Sequence, residues 1–157
     1  MLRPPTLTLT LALSLAAAPA SAACRLPDGA ASLATETLAA INAERQAQRL
    51  ALLRPDPRLQ EAAQSHACDS ATRSSMGHDG SDGSDLADRA LRAGYDYREI
   101  AENVAQGYPS PRSVTRGWMG SPGHRQNILM QEAEDAGLGI AIDTNGDLHW
   151  VLNLGRD

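Results

Sequence analysis

The sequence predicts an α+β domain in which a small antiparallel sheet carries helices on its faces. Three observations lead there. Apolar residues recur at helical spacing through the first half of the chain. Near the end, two β-prone runs over 136–143 and 148–154 flank Thr144-Asn145-Gly146-Asp147, and Asn-Gly between such runs is a strong hairpin signal. No internal repeat, linker or second compositional block interrupts the order, so helices lead and locally paired strands close one domain.

The first residues stand apart from that domain. Met1-Leu2-Arg3 is a basic start, residues 6–18 are apolar, Pro19 breaks the run, and Ala20-Ser21-Ala22 is an A-x-A cleavage site. This pattern predicts a signal peptide over residues 1–22, a domain over 23–157, and a protein secreted to the periplasm or the exterior. The apolar run falls well short of the roughly 20 residues a membrane span needs. Cys24 follows the cleavage site, but Ser21 stands where a lipoprotein signal has Leu, which disfavours lipid attachment. Cys68 is the only other cysteine, and an even pair in an exported chain predicts a Cys24–Cys68 disulfide.

The formal net charge is −5 and all fourteen basic residues are Arg. An acidic surface argues against nucleic acid and anionic membranes as partners. Phe is absent and aromatics make up 3%, so the core must come from Leu, Ile, Val, Ala and two Trp.

Residues 32–49 predict a first helix, with Leu33, Thr37, Leu38 and Ile41 on one face and Ser32 as N-cap. Arg54-Pro55-Asp56-Pro57 reads as a turn in which Asp56 caps a second helix and Pro57 takes its first position. That helix runs to about Arg73 with a small-residue stripe of Leu59, Ala62, Ala63, Ala67 and Ser70, suited to close packing. Residues 74–84 have the Gly, Ser and Asp content of a surface loop and carry His78. Asp85 caps a short third helix that stops at Gly94. A connector over 95–100 precedes a strand or buried irregular segment over 102–108, and Pro109-Ser110-Pro111 opens a helix containing Val114 and Trp118.

Two stretches hold ionisable residues in settings that core packing does not require. Glu102 opens the apolar run Ala101-Glu102-Asn103-Val104-Ala105. His124 follows a Ser121-Pro122-Gly123 turn, whose Pro and Gly fix the backbone and aim the side chain. His78 alone reads as an exposed loop residue. The aspartates at 79, 82 and 85, and the Asp143–Asp147 segment, lack the spacing of a Ca²⁺ loop and read as turns. His66 and His149 read as packing or surface residues. No helical H-E-x-x-H pair or G-x-S-x-G elbow occurs.

The matching pieces Leu38-x-x-Ile41-Asn42-x-x-Arg45, Leu59-x-x-Ala62-Ala63, His78 in its Gly-rich loop, Glu102-Asn103-Val104-Ala105, Trp118-Met119-x-Ser121-Pro122-Gly123-His124-Arg125-x-Asn127-Ile128-Leu129 and Trp150-Val151-Leu152 resemble, in order, the CAP superfamily of SCP-like extracellular domains, and its small bacterial secreted members in particular. The resemblance implies a three-layer α-β-α sandwich. It also implies a ligand cleft containing His78, Glu102, Asn103, Ser121 and His124. Eukaryotic members carry a second acid three residues after the motif's aromatic residue, where this chain has Ser121.

Two imidazoles and a carboxylate suit Zn²⁺ or another divalent cation, with His78 and His124 as metal ligands and Glu102 either a third ligand or a partner orienting a histidine. Two readings follow. One is a monomeric binding module for a small-molecule, lipid or peptide ligand. The other is a metal-assisted, peptidase-like hydrolase with Glu102 as catalytic general base. The missing second acid favours binding.

Overall fold

A computed structural model describes residues 24–157, and the leader read over residues 1–22 lies outside them. Helix α1 (Ala30–Ala47) begins two residues before the expected Ser32. Gly29, at φ 68°, turns the chain left-handed into the helix and accepts from Leu33 N at 3.0 Å. A glycine adopts that φ without a Cβ penalty, whereas Ser32 bonds Glu36 within the first turns.

Asp56 caps α2 (Pro57–Thr72) by accepting from Arg58 N and Leu59 N, with Pro57 at the first turn. Asp85 caps α3 (Leu86–Arg92) in a reciprocal box with Asp88. Gly94, at φ 82°, ends the turn that follows. Ser110 caps α4 (Pro111–Gly120), and Ser121 links it directly to α5 (Pro122–Ile128).

The sheet order is β1-β3-β4-β2, from β1 (Arg54–Pro55), β2 (Glu99–Gln106), β3 (Asp135–Ile142) and β4 (Leu148–Arg156). β2, β3 and β4 are antiparallel neighbours as expected. The expected turn at Arg54 also supplies a two-residue edge strand parallel to β3, so the sheet is mixed. β2 starts earlier than the apolar run indicated, because it pairs along β4 from Glu99↔Arg156 onward. The β3–β4 turn is organised by Asp143, whose Oδ1 accepts from Asn145 N at 2.8 Å and Asp147 N at 2.9 Å. Gly146 supplies the positive φ of 90°.

Alternation along the strands divides the interior in two. One face carries Leu138, Ile140, Trp150, Leu152 and Leu154, packed with Ile41, Val114 and Trp118 beneath α1 and α4. The other carries Ala141 and Val151 against Ala63, Ala67 and Ala71 of α2. The stripe of small residues on α2 therefore meets the sheet. Gly137 and Gly139 allow the closest approach, since a Cβ on either would collide with α2 backbone at Leu59–Gln60 or Ala63–Gln64. The three-layer arrangement follows, with α2 and α3 on one side and α1, α4 and α5 on the other.

Two connections lock this frame. Cys24 and Cys68 form a disulfide that ties the segment before α1 to α2. Arg45, fully buried, donates to the carbonyls of Ala51 (2.8 Å), Ile128 (2.8 Å), Met130 (2.8 Å) and Ala133 (3.0 Å). Burial pushes its pKa down, and the four carbonyl dipoles take the place of water around the charge. Its contacts fasten α1 to the C-terminal end of α5, the helix that bears His124.

Candidate functional site

β2 is an edge strand, and the site forms around its open side. Pleating sends Glu102 toward the α2–α3 layer and Asn103 toward α5. Glu102 is 2% exposed as a side chain, and both its oxygens are engaged. Oε1 meets His78 Nδ1 at 3.0 Å. Oε2 accepts from Arg89 Nη2 of α3 at 2.8 Å. Asn153 lies opposite Glu102 in β4. With its amide nitrogen toward the carboxylate, it donates to Oε2 at 3.1 Å, while its oxygen accepts from Ala63 N at 3.2 Å.

The His78 ring is 61% exposed. A carboxylate partner makes Nδ1 the donor and leaves Nε2 as the outward lone pair. The loop carrying His78 is held at several points. His66 Nε2 bonds Gly77 O at 2.8 Å, and Gly80 N donates to Ser84 O at 2.8 Å. Asp69 accepts from Ser81 N at 2.9 Å and also from the Ser81 hydroxyl. Arg73 holds both Asp69 and the Asp79 carbonyl. Asp82 accepts from Ser84 N and Asp85 caps α3, so these two acids serve turns, as read from their spacing.

On the other side of β2, Asn103 is fully buried and donates to the His124 carbonyl at 2.9 Å. Asn127 donates to Asn103 Oδ1 at 2.9 Å and to Glu102 O at 3.2 Å. Trp118 Nε1 donates to Val104 O at 3.2 Å. These bonds cover carbonyls of the strand edge and seat the first turn of α5. His124 is half-buried. Burial pushes its pKa down, and the nearby His78 pushes it further in the same direction.

The structure thus joins His78 to Glu102 directly, brings Asn103 to the backbone of His124, and leaves the two imidazoles close enough to interact electrostatically. The side chain of Ser121 does not cap α5. Its backbone makes the turn, donating to Trp118 O at 3.1 Å and accepting from Arg125 N at 2.8 Å. Among the described residues, no group of three His, Cys, Asp or Glu side chains gathers as a metal set.

Sequence reasoning missed Arg89 and Asn153, while His66, read there as a packing or surface residue, is buried and bonds the Gly77 carbonyl. Asn153 carried one signal: it interrupts a run, Trp150 to Leu154, that is apolar on both faces. A polar residue there requires a buried partner. Arg89 had no such mark among fourteen arginines.

A model of the cysteine-rich secretory protein family, CAP, matches residues 38–154. The Bacillus subtilis protein YkwD is 33% identical over 98 residues, which cover 62% of this chain and 38% of that protein. The B. subtilis membrane protein YlbC is 28% identical over 91 residues, covering 58% of this chain and 26% of its own length. Both matches therefore span less than half of these longer relatives. Among solved structures, an extracellular protein of Bacillus anthracis containing an SCP domain superposes with a TM-score of 0.73 at 24% identity, over 81% of this chain and 41% of that one. An outer surface protein of Borrelia burgdorferi superposes with a TM-score of 0.70 at 19% identity, over 76% and 88% respectively. These likenesses show the same fold. No helix among the described residues is long and apolar enough to cross a membrane.

Proposed function

The chain belongs to the cysteine-rich secretory protein family, CAP, and from that premise we propose that it is an exported binding module whose ligand site is formed by His78 and His124 at the β2 edge. The observation that carries this reading is the engagement of Glu102. A general base must reach a water or substrate, yet this carboxylate is 2% exposed and already accepts from His78, Arg89 and Asn153. That geometry supports an orienting role and disfavours hydrolysis through Glu102.

The donor set also fits binding better than catalysis. Catalytic zinc sites use three protein ligands, and here two imidazoles are available. A carboxylate behind Nδ1 is a common way to aim the opposite nitrogen of a histidine at a metal. His78 Nε2 and His124 would hold a divalent ion such as Zn²⁺ loosely, leaving coordination positions for donor atoms of a small-molecule, lipid or peptide ligand. Export belongs to the same proposal, since the Cys24–Cys68 disulfide suits an oxidising compartment.

Titration calorimetry with ZnCl₂ tests the site. One equivalent is expected in the wild type, and His78→Ala and His124→Ala should each weaken it at least tenfold. Absence of uptake, or uptake indifferent to both substitutions, overturns the metal-assisted form of the reading. Turnover of a peptide and ester panel that disappears in Glu102→Gln would replace the binding module with a hydrolase.

A further inference from the structure

The two edges of the sheet are finished differently. On β3, beyond the two residues of β1, other groups stand in for a missing strand. Ile140 N donates to the Gln64 side chain at 3.1 Å, and the Gln64 amide donates back to Ile140 O at 2.9 Å. Ile142 N donates to Arg25 O at 2.9 Å. Cover of this kind blunts an exposed edge against pairing with another chain. β2 has it only in part.

Gly107 N donates to Leu148 O at 2.9 Å, which continues the register that sets Gln106 opposite His149. Main-chain groups alternate between the two sides of a strand, so residues 101, 103 and 105 face β4 while residues 102 and 104 face outward. Trp118 Nε1 and Asn127 Nδ2 reach the outward carbonyls of Val104 and Glu102, at 3.2 Å each. The outward amides of the same two residues have no acceptor among the described residues. Val104 is partly exposed. Glu102 is 6% exposed as a residue but 2% as a side chain, which puts most of its exposed surface on the main chain. At the centre of β2 the acceptors are therefore taken and the donors stay open.

Two donors two residues apart on one strand are separated by roughly 6.8 Å, at about 3.4 Å per residue. The oxygens of one carboxylate share a carbon, and those of one phosphate a phosphorus, so neither group meets both amides. Carbonyls two residues apart on an extended peptide repeat at the required spacing. A second copy of this chain does not supply them, because the matching carbonyls of its own β2 are already bonded to Trp118 and Asn127. We propose that the ligand of the β2 edge is an extended peptide of another protein, which lies alongside β2 as an added strand and accepts from the Glu102 and Val104 amides. This rests on the reading of the β2 edge as the ligand site, and not on a metal between the histidines.

The test uses the full chain, ¹⁵N-labelled, and a pool of capped six-residue peptides with randomised side chains. Acetate, inorganic phosphate and decanoate are the controls. The pool should move the Glu102 and Val104 amide protons downfield together and slow their exchange with solvent at least tenfold. The controls should do neither, and the Ala101 and Asn103 amides, which face β4, should stay unmoved. Val104→Pro removes one donor at an edge position that tolerates proline, and should weaken the pool's effect on Glu102 at least tenfold. If that variant does not fold, the wild-type amides alone decide. Exchange already slow in the free chain at every dilution means an internal acceptor and overturns the proposal. Protection that appears only on concentrating the chain means self-pairing and does the same. No response to the pool, an equal response to decanoate or acetate, or a peptide effect that survives Val104→Pro also overturns it. A peptide effect confined to other resonances overturns it while leaving the binding-module reading in place. Protection of both amides by peptide in a chain carrying His78→Ala and His124→Ala upholds it where zinc uptake is lost, so the two readings fail separately.

Discussion

Arg89 Nη2 donates to Glu102 Oε2 at 2.8 Å with both side chains almost wholly buried, 5% and 2% exposed. The second nitrogen of the guanidinium holds the Ser84 carbonyl at 2.8 Å. One side chain of α3 therefore links an acid of the edge strand to the stem of the His78 loop. Buried pairs of this kind are costly to break singly because the remaining charge is stranded. Arg89→Ala should lower stability by about 3–5 kcal/mol, while Arg89→Met combined with Glu102→Leu should recover much of that loss. Guanidinium denaturation followed by circular dichroism measures the cycle. Additive effects of the two sites would show that the contact carries no coupling.

The Cys24–Cys68 bond closes a loop of sequence separation 44. In the chain-entropy account, such a crosslink restricts the unfolded chain by about 4 kcal/mol. Cys24→Ser, Cys68→Ser and the double substitution should destabilise to similar extents of that order, measured by denaturant midpoint without reductant. Reduced wild type should match them. Intact mass before and after reduction, with alkylation, should show a shift corresponding to two thiols only in the reduced sample.

Gly139 lies against the Ala63 carbonyl of α2, where a Cβ has no room and the obstacle is backbone. Gly139→Ala should therefore cost about 1–3 kcal/mol through forced separation of α2 from β3. Gly120, at the end of α4, meets nothing within 4 Å and has no positive φ. Gly120→Ala should be neutral or stabilising by up to about 1 kcal/mol. Thermal unfolding of the two variants side by side separates them, and equal Tm values would contradict the close approach.

Local chemistry was readable from the chain because it depends on neighbours in sequence. Asp56 with Pro57, Asp85, and the Asn145-Gly146 turn act over a few residues, so their roles as caps and hairpin signals follow from spacing. Glu102 and His124 stood out by being polar beside apolar or rigid segments. What the chain did not disclose was pairing across the fold. The Asn153 amide opposite Glu102 requires the β2–β4 register, the Arg89–Glu102 contact the docking of α3 on β2, and the His66 hold on Gly77 the folding of the 74–84 loop back onto α2. No local periodicity encodes that register. The parallel pairing of β1 was hidden for a similar reason, since two residues ending in Pro55 carry no alternation.

His66 and His124 make stability fall on mild acidification. Burial lowers the folded pKa of both, and His78 lowers that of His124 further. The unfolded chain takes up their protons near the ordinary histidine value of about 6.5 while the folded chain does not. The unfolded state then binds more protons, so stability rises with pH across this window. The loss on acidification should begin near pH 6.5, grow as pH falls, and level off for each histidine below its folded pKa. The carboxylates held by hydrogen bonds, such as Asp56 and Asp69, have lowered pKa values, and their contribution is lost only in a more acid range. His66→Gln should reduce the slope of unfolding free energy against pH between about 6.5 and 5, and His124→Gln should remove a further part. Urea midpoints across this range provide the measurement. A wild-type slope of zero there, or one untouched by both substitutions, would show that neither ring keeps its proton off in the folded state.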